Sequence, residues 1–270
     1  YEELLAQEQL KNLALLQSLA AGISPLFRNQ YDYLNVKILL KDEFMGTEDA
    51  VLSPLGNIPV KKLKTALSER NFSELSPIMR EAAARAIEAF GKTGDPQLID
   101  LILDKACFED IRQTAKETGN SFTQGYVTRE IDLANLKTFV RLKRQGGKIE
   151  LFRQAFIPGG QLEINRFLAH FGDDWDSLSQ VLAFTEYKNI LEDVLPLLVA
   201  GDLGAFEKAL DDYRIAQLKK AKLIAFGLEP LVAFMAAKEN DIKTARIILT
   251  GKAAGLPSER IAEKVRETYV

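Results

Sequence analysis

The sequence predicts an all-α fold, and three observations carry that prediction. Apolar residues recur at spacings of three and four, as they do along one stripe of a helix, and sustained period-two alternation is hard to find. Residues typical of helix starts punctuate the chain, such as Ser76 followed by Pro77 and Asp95 followed by Pro96. One helical pattern also returns three times along the chain. We therefore expect helices throughout.

The stretch 31–40 is the first of these predicted helices, and its composition is unusual. Apolar residues cover most of its circumference, yet Asp32, Asn35 and Lys37 lie within it. A surface helix gathers its polar groups on one side, and a buried helix avoids them. Asp32 and Lys37 are too far apart to face each other on one helix, where only spacings of three and four bring side chains together. We expect their partners on other helices.

Further helices are predicted from boundary residues and apolar spacing, at 76–94, 95–119, 131–140, 201–222 and 240–249. The first of these helices ends at Gly91 or at Gly94. The glycine-rich segment 146–161 predicts a flexible connection, because it lacks the GxGxxG pattern or the lysine of a phosphate-binding loop. The most apolar stretch, 223–237, is too short to span a bilayer and predicts a pair of core helices.

The composition of the chain, in particular its net charge and its cysteine count, excludes some classes of function. The chain of 270 residues is 47% apolar and carries a net charge of −3, so it offers no electrostatic footprint for nucleic acid. Its one cysteine, Cys107, excludes an intramolecular disulfide and fits a reducing compartment.

Catalytic, cofactor-binding and metal-binding residues are not expected. His170 is the sole histidine, so no histidine pair is available to a metal and no His–Cys pair is close in sequence. The sharpest enzymatic alternative is a Mg²⁺-dependent isoprenoid synthase, which is also all-α and is suggested by the acids within 173–176 and 211–212. Diphosphate chemistry of that kind needs the spacing DDxxD, which neither cluster has. We therefore predict a non-catalytic protein with no cofactor.

An internal repeat is visible when the helices 31–40, 131–140 and 240–249 are aligned. Corresponding positions hold an acid, a polar residue and a cation: Asp32, Asn35 and Lys37; Asp132, Asn135 and Lys137; Asp241, Thr244 and Arg246. Each helix is followed by a glycine-containing turn and then by a cation; the turns are 54–59, 158–163 and 252–257, and the cations are Lys62, Arg166 and Arg260. A third element precedes the helix in two copies, at 94–104 and 201–211.

The period of about 100 residues predicts three modules, 1–73, 74–175 and 176–270, the first of which lacks its opening helices. Each helix then has the same neighbours within its own module. We therefore expect Asp104 and Asp211, which end the third element, to pair with the cations Lys137 and Arg246. A generic all-α repeat scaffold that binds a partner protein in a groove is an alternative, although the units of such scaffolds are usually shorter.

The closing stretch, 230–270, with its run AGLPSERI and its final Tyr-Val, resembles the end of the C subunit of prokaryotic V/A-type rotary ATPases, whose eukaryotic counterpart is the d subunit. The D-x-x-N helices at 32–35 and 132–135 are similar to that family's repeated element, and the resemblance covers the whole chain. It implies three helical modules arranged as a funnel about a pseudo-threefold axis. It also implies a non-catalytic component of the central rotor, present in one copy per complex and monomeric when isolated.

The resemblance implies partners and a location as well. The implied partners are the central shaft subunits, of the D and F type, and the membrane proteolipid ring; nucleic acid and a transmembrane segment of its own are not expected. The complex couples ATP turnover to H⁺ or Na⁺ transport, with this chain lying peripherally at the cytoplasmic face of the membrane. In a threefold arrangement the equivalent turns gather at one end, so we expect Lys62, Arg166 and Arg260 to contact the ring and the wider opening to take the shaft. The alternative is that these turns only reverse the chain.

Overall fold

The computed structural model describes residues 1–46, 51–191 and 194–270, and all regular structure in those ranges is helical. This confirms the predicted all-α class. The α-helices are α1 (Glu2–Ala20), α2 (Pro25–Met45), α3 (Val60–Ser68), α4 (Pro77–Thr93), α5 (Gln97–Glu117), α6 (Ser121–Arg144), α7 (Ile149–Ala155), α8 (Ile164–Ala169), α9 (Leu178–Val181), α10 (Leu195–Val199), α11 (Leu203–Leu218), α12 (Glu229–Ala253) and α13 (Ser258–Lys264). None of the described helices combines the length and the hydropathy that crossing a membrane requires.

Two compact units make up the described chain. One comprises Leu13–Val127, and the other comprises Tyr1–Asn12 together with Thr128–Val270. We call them the 13–127 unit and the 128–270 unit. The three modules expected from the repeat, 1–73, 74–175 and 176–270, stay a prediction.

Helices α2, α4 and α5 form the core of the 13–127 unit. Val36 and Leu40 of α2 and Leu103 of α5 are 0% exposed. Ala83 of α4 is also 0% exposed, and other alanines share its buried face. Because alanine side chains are short, they let neighbouring helix axes approach closely.

Local sequence signals determine the ends of α4. Ser76 Oγ accepts a hydrogen bond from the backbone amide of Met79 at 3.1 Å, and Pro77 occupies the first turn. Gly94 ends the helix with φ of 68°, in the left-handed region that glycine enters without steric cost. These contacts satisfy backbone groups that a helix end leaves unpaired. The start predicted at Ser76 is confirmed, and Gly94 is the one of the two predicted glycines at which the helix ends.

Aromatic side chains dominate the core of the 128–270 unit. Phe139 of α6 contacts Phe152 of α7 and Phe167 of α8, with ring centroids 5.4 and 5.3 Å apart. All three rings are 0% exposed, and Tyr187 is equally buried in the same cluster. Tilted and edge-to-face rings of this kind add stability beyond the area that they bury. The cluster fixes α7 and α8, and hence the turn at 158–163 that joins them.

The prediction of a flexible connection at 146–161 is wrong for the middle of that segment. Residues Ile149–Ala155 form α7, which buries Phe152 completely, and Phe156 follows at 9% exposure. Phe152 and Phe156 are four residues apart and lie on one face of the helical turn, from which they enter the aromatic core. Paired glycines at both ends of the segment mark the limits of an ordered helix and turn.

The prediction of a core helix pair at 223–237 holds only for its second half. Helix α12 begins at Glu229, and from Val232 onward its inner face is buried. Residues 224–228 are not helical, while Leu223 is 93% exposed and Phe226 is 89% exposed. Apolar composition alone did not distinguish a buried helix from an exposed turn.

Candidate functional site

Asp32 holds the first glycine-containing turn in place from within α2. Asp32 is 1% exposed, and its carboxyl group accepts hydrogen bonds from the backbone amides of Asn57 at 2.9 Å and Ile58 at 3.0 Å. A Cβ atom on Gly56 would lie 2.1 Å from Asp32 Oδ1, so only glycine fits beside the carboxylate. The acid in the apolar helix is therefore the anchor of a turn.

Asp132 repeats this arrangement in the second copy. Its carboxylate accepts hydrogen bonds from the backbone amides of Gln161 at 3.0 Å and Leu162 at 2.9 Å. The Tyr187 hydroxyl donates a further bond, at 2.7 Å, to Asp132 Oδ2. A Cβ atom on Gly160 would lie 2.1 Å from Asp132 Oδ1, as at the equivalent glycine of the first copy. Sequence reasoning missed Tyr187, because nothing in its own neighbourhood marks it.

The asparagine of each D-x-x-N helix binds the residue that leads into the same turn. Asn35 accepts from the backbone amide of Ser53 and donates to its carbonyl, both at 2.8 Å. Asn135 makes the same pair of bonds with Ile157, at 2.8 and 2.7 Å. Acid and amide are three residues apart, so they share one helix face and reach two points of one turn. We call this four-bond arrangement the Asp–Asn anchor.

Burial raises the pKa of Asp32 and of Asp132, and the hydrogen bonds that each carboxyl accepts oppose that rise. A carboxylate removed from water is costly unless donors surround it. The charge is therefore stable only while the turn keeps its amides in place. Acid and turn become ordered together.

The third copy lacks the Asp–Asn anchor. Asp241 is exposed, and no hydrogen bond or ion pair of its side chain is found among the described residues. The backbone amide of Leu256, which corresponds to Ile58 and Leu162, donates instead to the carbonyl of Gly251 at 3.0 Å. Helix α12 uses the preceding residue, Asn240, whose amide donates to the Glu267 carbonyl at 2.9 Å. The aligned acid thus has a different environment in this copy.

The repeated cations pair with acids, but with different acids from those we expected. Lys37 binds Asp104 at 2.6 Å and Lys137 binds Asp211 at 2.9 Å. Each acid therefore pairs with the cation of the copy before it, and the expected pairing of Asp104 with Lys137 is wrong. Arg246 binds Glu2 at 3.1 Å, so its expected pairing with Asp211 is wrong as well. The alignment showed which residues recur, but it carried no information about which helices are neighbours.

Asp211 collects three cations and is the most heavily paired acid in the described chain. Lys137, Lys243 and Arg266 all lie within 3.0 Å of its carboxylate, which is 3% exposed. Burial alone raises the pKa of Asp211, but the charges of Lys137 and Lys243 outweigh burial and hold that pKa well below its usual range. No pattern along the chain pointed to Lys243 or Arg266, since both are distant from Asp211 in sequence.

The three cations expected to contact a partner have different environments. Lys62 and Arg260 are exposed on 60% and 69% of their side chains, and each pairs with one acid, Glu74 and Glu263 respectively. Arg166 instead donates to the backbone carbonyls of Val181 and Ala183, at 3.2 and 3.0 Å. Arg166 is therefore part of the internal structure, while Lys62 and Arg260 are accessible to a partner.

Two surface clefts contain the exposed members of that set. Lys62 lines a cleft of about 470 Å³ together with Ile58 and Pro59 of the first turn. Arg260 lines a cleft of about 550 Å³ beside Lys208 and Lys264. Acids alternate with cations in both clefts, so neither one concentrates charge of a single sign.

The described residues contain no group of three His, Cys, Asp or Glu side chains that could hold a metal ion. His170 Nδ1 lies 2.8 Å from Asp173 Oδ2, which explains one of the acids in the 173–176 cluster. Asp174 accepts from the backbone amide of Ser177 and begins a helical turn. Burial raises the pKa of the Cys107 thiol, which disfavours the reactive thiolate.

Comparison with known proteins gives the family. The family model described as ATP synthase (C/AC39) subunit matches residues 1–264. The chain is similar to the C subunit of the V-type sodium ATPase of Enterococcus hirae, with 26% identity over 272 residues, covering 100% of this chain and 83% of the relative. It is also similar to the C subunit of the A-type ATP synthase of Methanocaldococcus jannaschii, with 27% identity over 278 residues, covering 92% and 68% of the two chains.

A third relative, the C subunit of the V-type ATP synthase of Deinococcus radiodurans, is 22% identical and covers 88% of this chain and 65% of its own. The family match spans both compact units and all three copies of the repeated helix. The isoprenoid-synthase alternative is accordingly set aside. The chain belongs to the ATP synthase (C/AC39) subunit family, whose members are structural, non-catalytic subunits of V/A-type ATPase complexes.

Proposed function

We propose that this chain joins the central shaft of a V/A-type ATPase to its membrane proteolipid ring, and so couples ATP turnover to H⁺ or Na⁺ transport. The family match over residues 1–264 carries this proposal. The proposed partners are the D- and F-type shaft subunits and the ring. One copy acts per complex at the cytoplasmic face of the membrane, and the isolated chain is a monomer.

A rotor joint has to transmit torque without unfolding, and the pairing of the described residues supports such a role. Lys37–Asp104 and Lys137–Asp211 each connect two long helices. Asp211 is buried, so removing its cations leaves an uncompensated charge, which costs about 3–5 kcal/mol. Ion pairs that cost this much to break keep the paired helices from sliding past each other, so torque is transmitted through the chain without unfolding it.

The glycine-containing turns are the proposed ring-facing surface. Their tips are exposed, including Asn57 in the first turn and Gln161 in the second. The Asp–Asn anchor holds both of these turns in one conformation before any partner arrives. A pre-ordered loop loses little entropy on binding, and several modest contacts around a ring add up by avidity. We propose the funnel arrangement, with these turns at one end and the shaft at the wider end, on the same grounds.

The test reverses the two exposed cations and leaves the internal one intact. A double variant, Lys62→Glu with Arg260→Glu, changes charge at the proposed ring contact, whereas Arg166 is left unchanged because it binds backbone carbonyls. The matched control is Arg85→Glu with Lys92→Glu, two similarly exposed cations paired with helix neighbours on α4. Co-sedimentation with ring-containing vesicles and pull-down with the shaft subunits report the two contacts separately.

We expect the double variant to weaken ring attachment roughly tenfold, since each reversal exchanges a surface attraction of up to about 1 kcal/mol for a repulsion. Shaft binding and the control variant should be unchanged. Loss of shaft binding with ring attachment intact would show that the turns face the shaft. If neither contact changes, the turns are not part of the interface. If the unaltered chain binds neither ring nor shaft, the proposed function itself is refuted.

A further inference from the structure

The connection between α11 and α12 exposes apolar side chains that no described residue covers. Leu223 is 93% exposed, Phe226 is 89% exposed and Ile224 is 39% exposed, all within four residues. Isolated exposed apolar residues are ordinary on protein surfaces, but a cluster with an aromatic ring at nearly full exposure marks an interaction site. We call residues 219–226 the basic–apolar turn.

Cations accompany these apolar side chains and acids are absent from the segment. From Arg214 to Leu228 the sequence contains four cations and no acid, in a chain whose net charge is −3. Lys219 is neutralised by Glu267 at 2.6 Å. Lys220 donates to the amide oxygen of Gln217 at 2.5 Å, and Lys222 lies over the Tyr269 ring at 4.9 Å. Lys220 and Lys222 are exposed, and neither forms an ion pair within the described part of the chain.

The fold fixes the turn in this outward orientation. Ala221, inside the 3-10 turn Lys219–Leu223, is 1% exposed and holds the turn against the unit. The backbone amide of Ile224 donates to the Ala221 carbonyl at 3.0 Å, and Gly227 follows with φ of 106°, which only glycine adopts readily. The apolar tips therefore cannot turn inward without breaking the connection.

We propose that the basic–apolar turn inserts into the surface of an anionic phospholipid bilayer. Leu223 and Phe226 would enter the boundary between headgroups and acyl chains, and Lys220 and Lys222 would meet the headgroup phosphates. Residues 219–226 themselves offer charge and apolar area but contain no carboxylate, so the turn suits a fluid anionic surface better than a directional protein partner. This inference goes beyond the proposed function, because it requires neither shaft nor ring.

A single fluorescent reporter tests insertion directly. The variant Trp175→Phe with Phe226→Trp moves the sole tryptophan of the 270-residue chain to the tip of the turn. With phosphatidylcholine vesicles that contain phosphatidylglycerol, the emission should shift to the blue, and lipids brominated on the acyl chains should quench it. Phosphatidylcholine alone should produce neither effect. An unchanged spectrum with anionic vesicles overturns the proposal, and so does an equal shift with neutral ones.

Vesicle flotation of variants tests which side chains carry the binding. Lys220→Gln with Lys222→Gln should weaken binding to anionic vesicles by roughly fivefold for each lysine. The matched control, Lys61→Gln with Lys64→Gln, removes two exposed cations from α3 and should leave binding unchanged. Equal losses in the two variants would mean that overall charge drives adsorption, which contradicts a specific turn.

The apolar half of the turn has its own control. Phe226→Ser should lower binding by roughly tenfold, because a buried aromatic side chain contributes about 1.5–3 kcal/mol. Phe184→Ser removes another ring, 99% exposed in a different loop, and should have no effect. If Phe226→Ser is also without effect on vesicles but weakens capture of the shaft or the ring, the turn is a protein contact and the lipid proposal is wrong.

Discussion

Replacing Asp132 by alanine tests the Asp–Asn anchor most sharply. The substitution removes a carboxylate that accepts bonds from the amides of Gln161 and Leu162 and from the Tyr187 hydroxyl, at 3.0, 2.9 and 2.7 Å. We expect the turn at 158–163 to open far more often, while helices distant from it keep their structure.

The expected size of the effect follows from which donors remain buried. Leu162 is 1% exposed and Tyr187 is 0% exposed, so their donors cannot turn to water, whereas Gln161 is exposed and its amide can. Two buried unsatisfied donors cost about 1–3 kcal/mol each, and each bond to the charge contributes a similar amount. The substitution also removes the cost of keeping a charged carboxylate away from water, which offsets part of that sum. We expect a net loss of about 3–5 kcal/mol in the free energy of opening the turn.

Hydrogen exchange measures that loss at the turn itself and does not require the whole chain to unfold in one step. Peptides that contain Leu162 should exchange at least about a hundredfold faster in the variant. Asp241→Ala is the matched control. It alters the aligned acid of the third copy, which is exposed, and should change stability by less than about 0.5 kcal/mol. Equal effects of the two substitutions, or unchanged exchange at Leu162, would refute the anchoring role of Asp132.

Two further predictions concern the same framework. Gly160→Ala places a Cβ atom 2.1 Å from Asp132 Oδ1 and should destabilise the turn by about 2–4 kcal/mol. The control Gly91→Ala, which adds a Cβ atom in open space on α4, should stabilise the protein by about 0.5–1 kcal/mol. Denaturant titration combined with hydrogen exchange distinguishes the two effects. Because the pKa of Asp211 is lowered in the folded chain, this acid becomes protonated at a higher pH in the unfolded chain than in the folded chain. Its contribution to stability is therefore present above about pH 4 and is lost as the pH falls below that value. The difference in unfolding free energy between the unaltered chain and Asp211→Asn should therefore shrink steadily below about pH 4, and a difference that stays constant with pH would contradict the assignment.

The parts of the fold that local sequence determines were predictable. The ends of α4 follow from Ser76, Pro77 and Gly94, each of which satisfies or permits the backbone geometry of a helix end. The recurrence of Asp32 and Asp132 in apolar helices was equally visible, because a buried acid is rare enough to stand out in a helical pattern.

The partners of those residues were not predictable, because they depend on which helices are neighbours. Lys37 pairs with an acid from the next copy, and Asp211 attracts Arg266 from the end of the chain. A sequence alignment shows which positions correspond, but it does not show which residues are close in space when tens of residues separate them along the chain. Exposure could not be predicted either, since Phe226 and the buried Phe152 of α7 have the same apolar character and opposite environments.

A three-component binding experiment tests whether this chain connects the shaft to the ring. Purified proteolipid ring in detergent, D- and F-type shaft subunits and this chain are mixed, and the ring is captured through an affinity tag. We predict that the shaft subunits are recovered with the ring in stoichiometric amounts when this chain is present, and are absent when it is omitted. Recovery of the shaft without this chain, or its absence in both cases, would contradict the proposed connection.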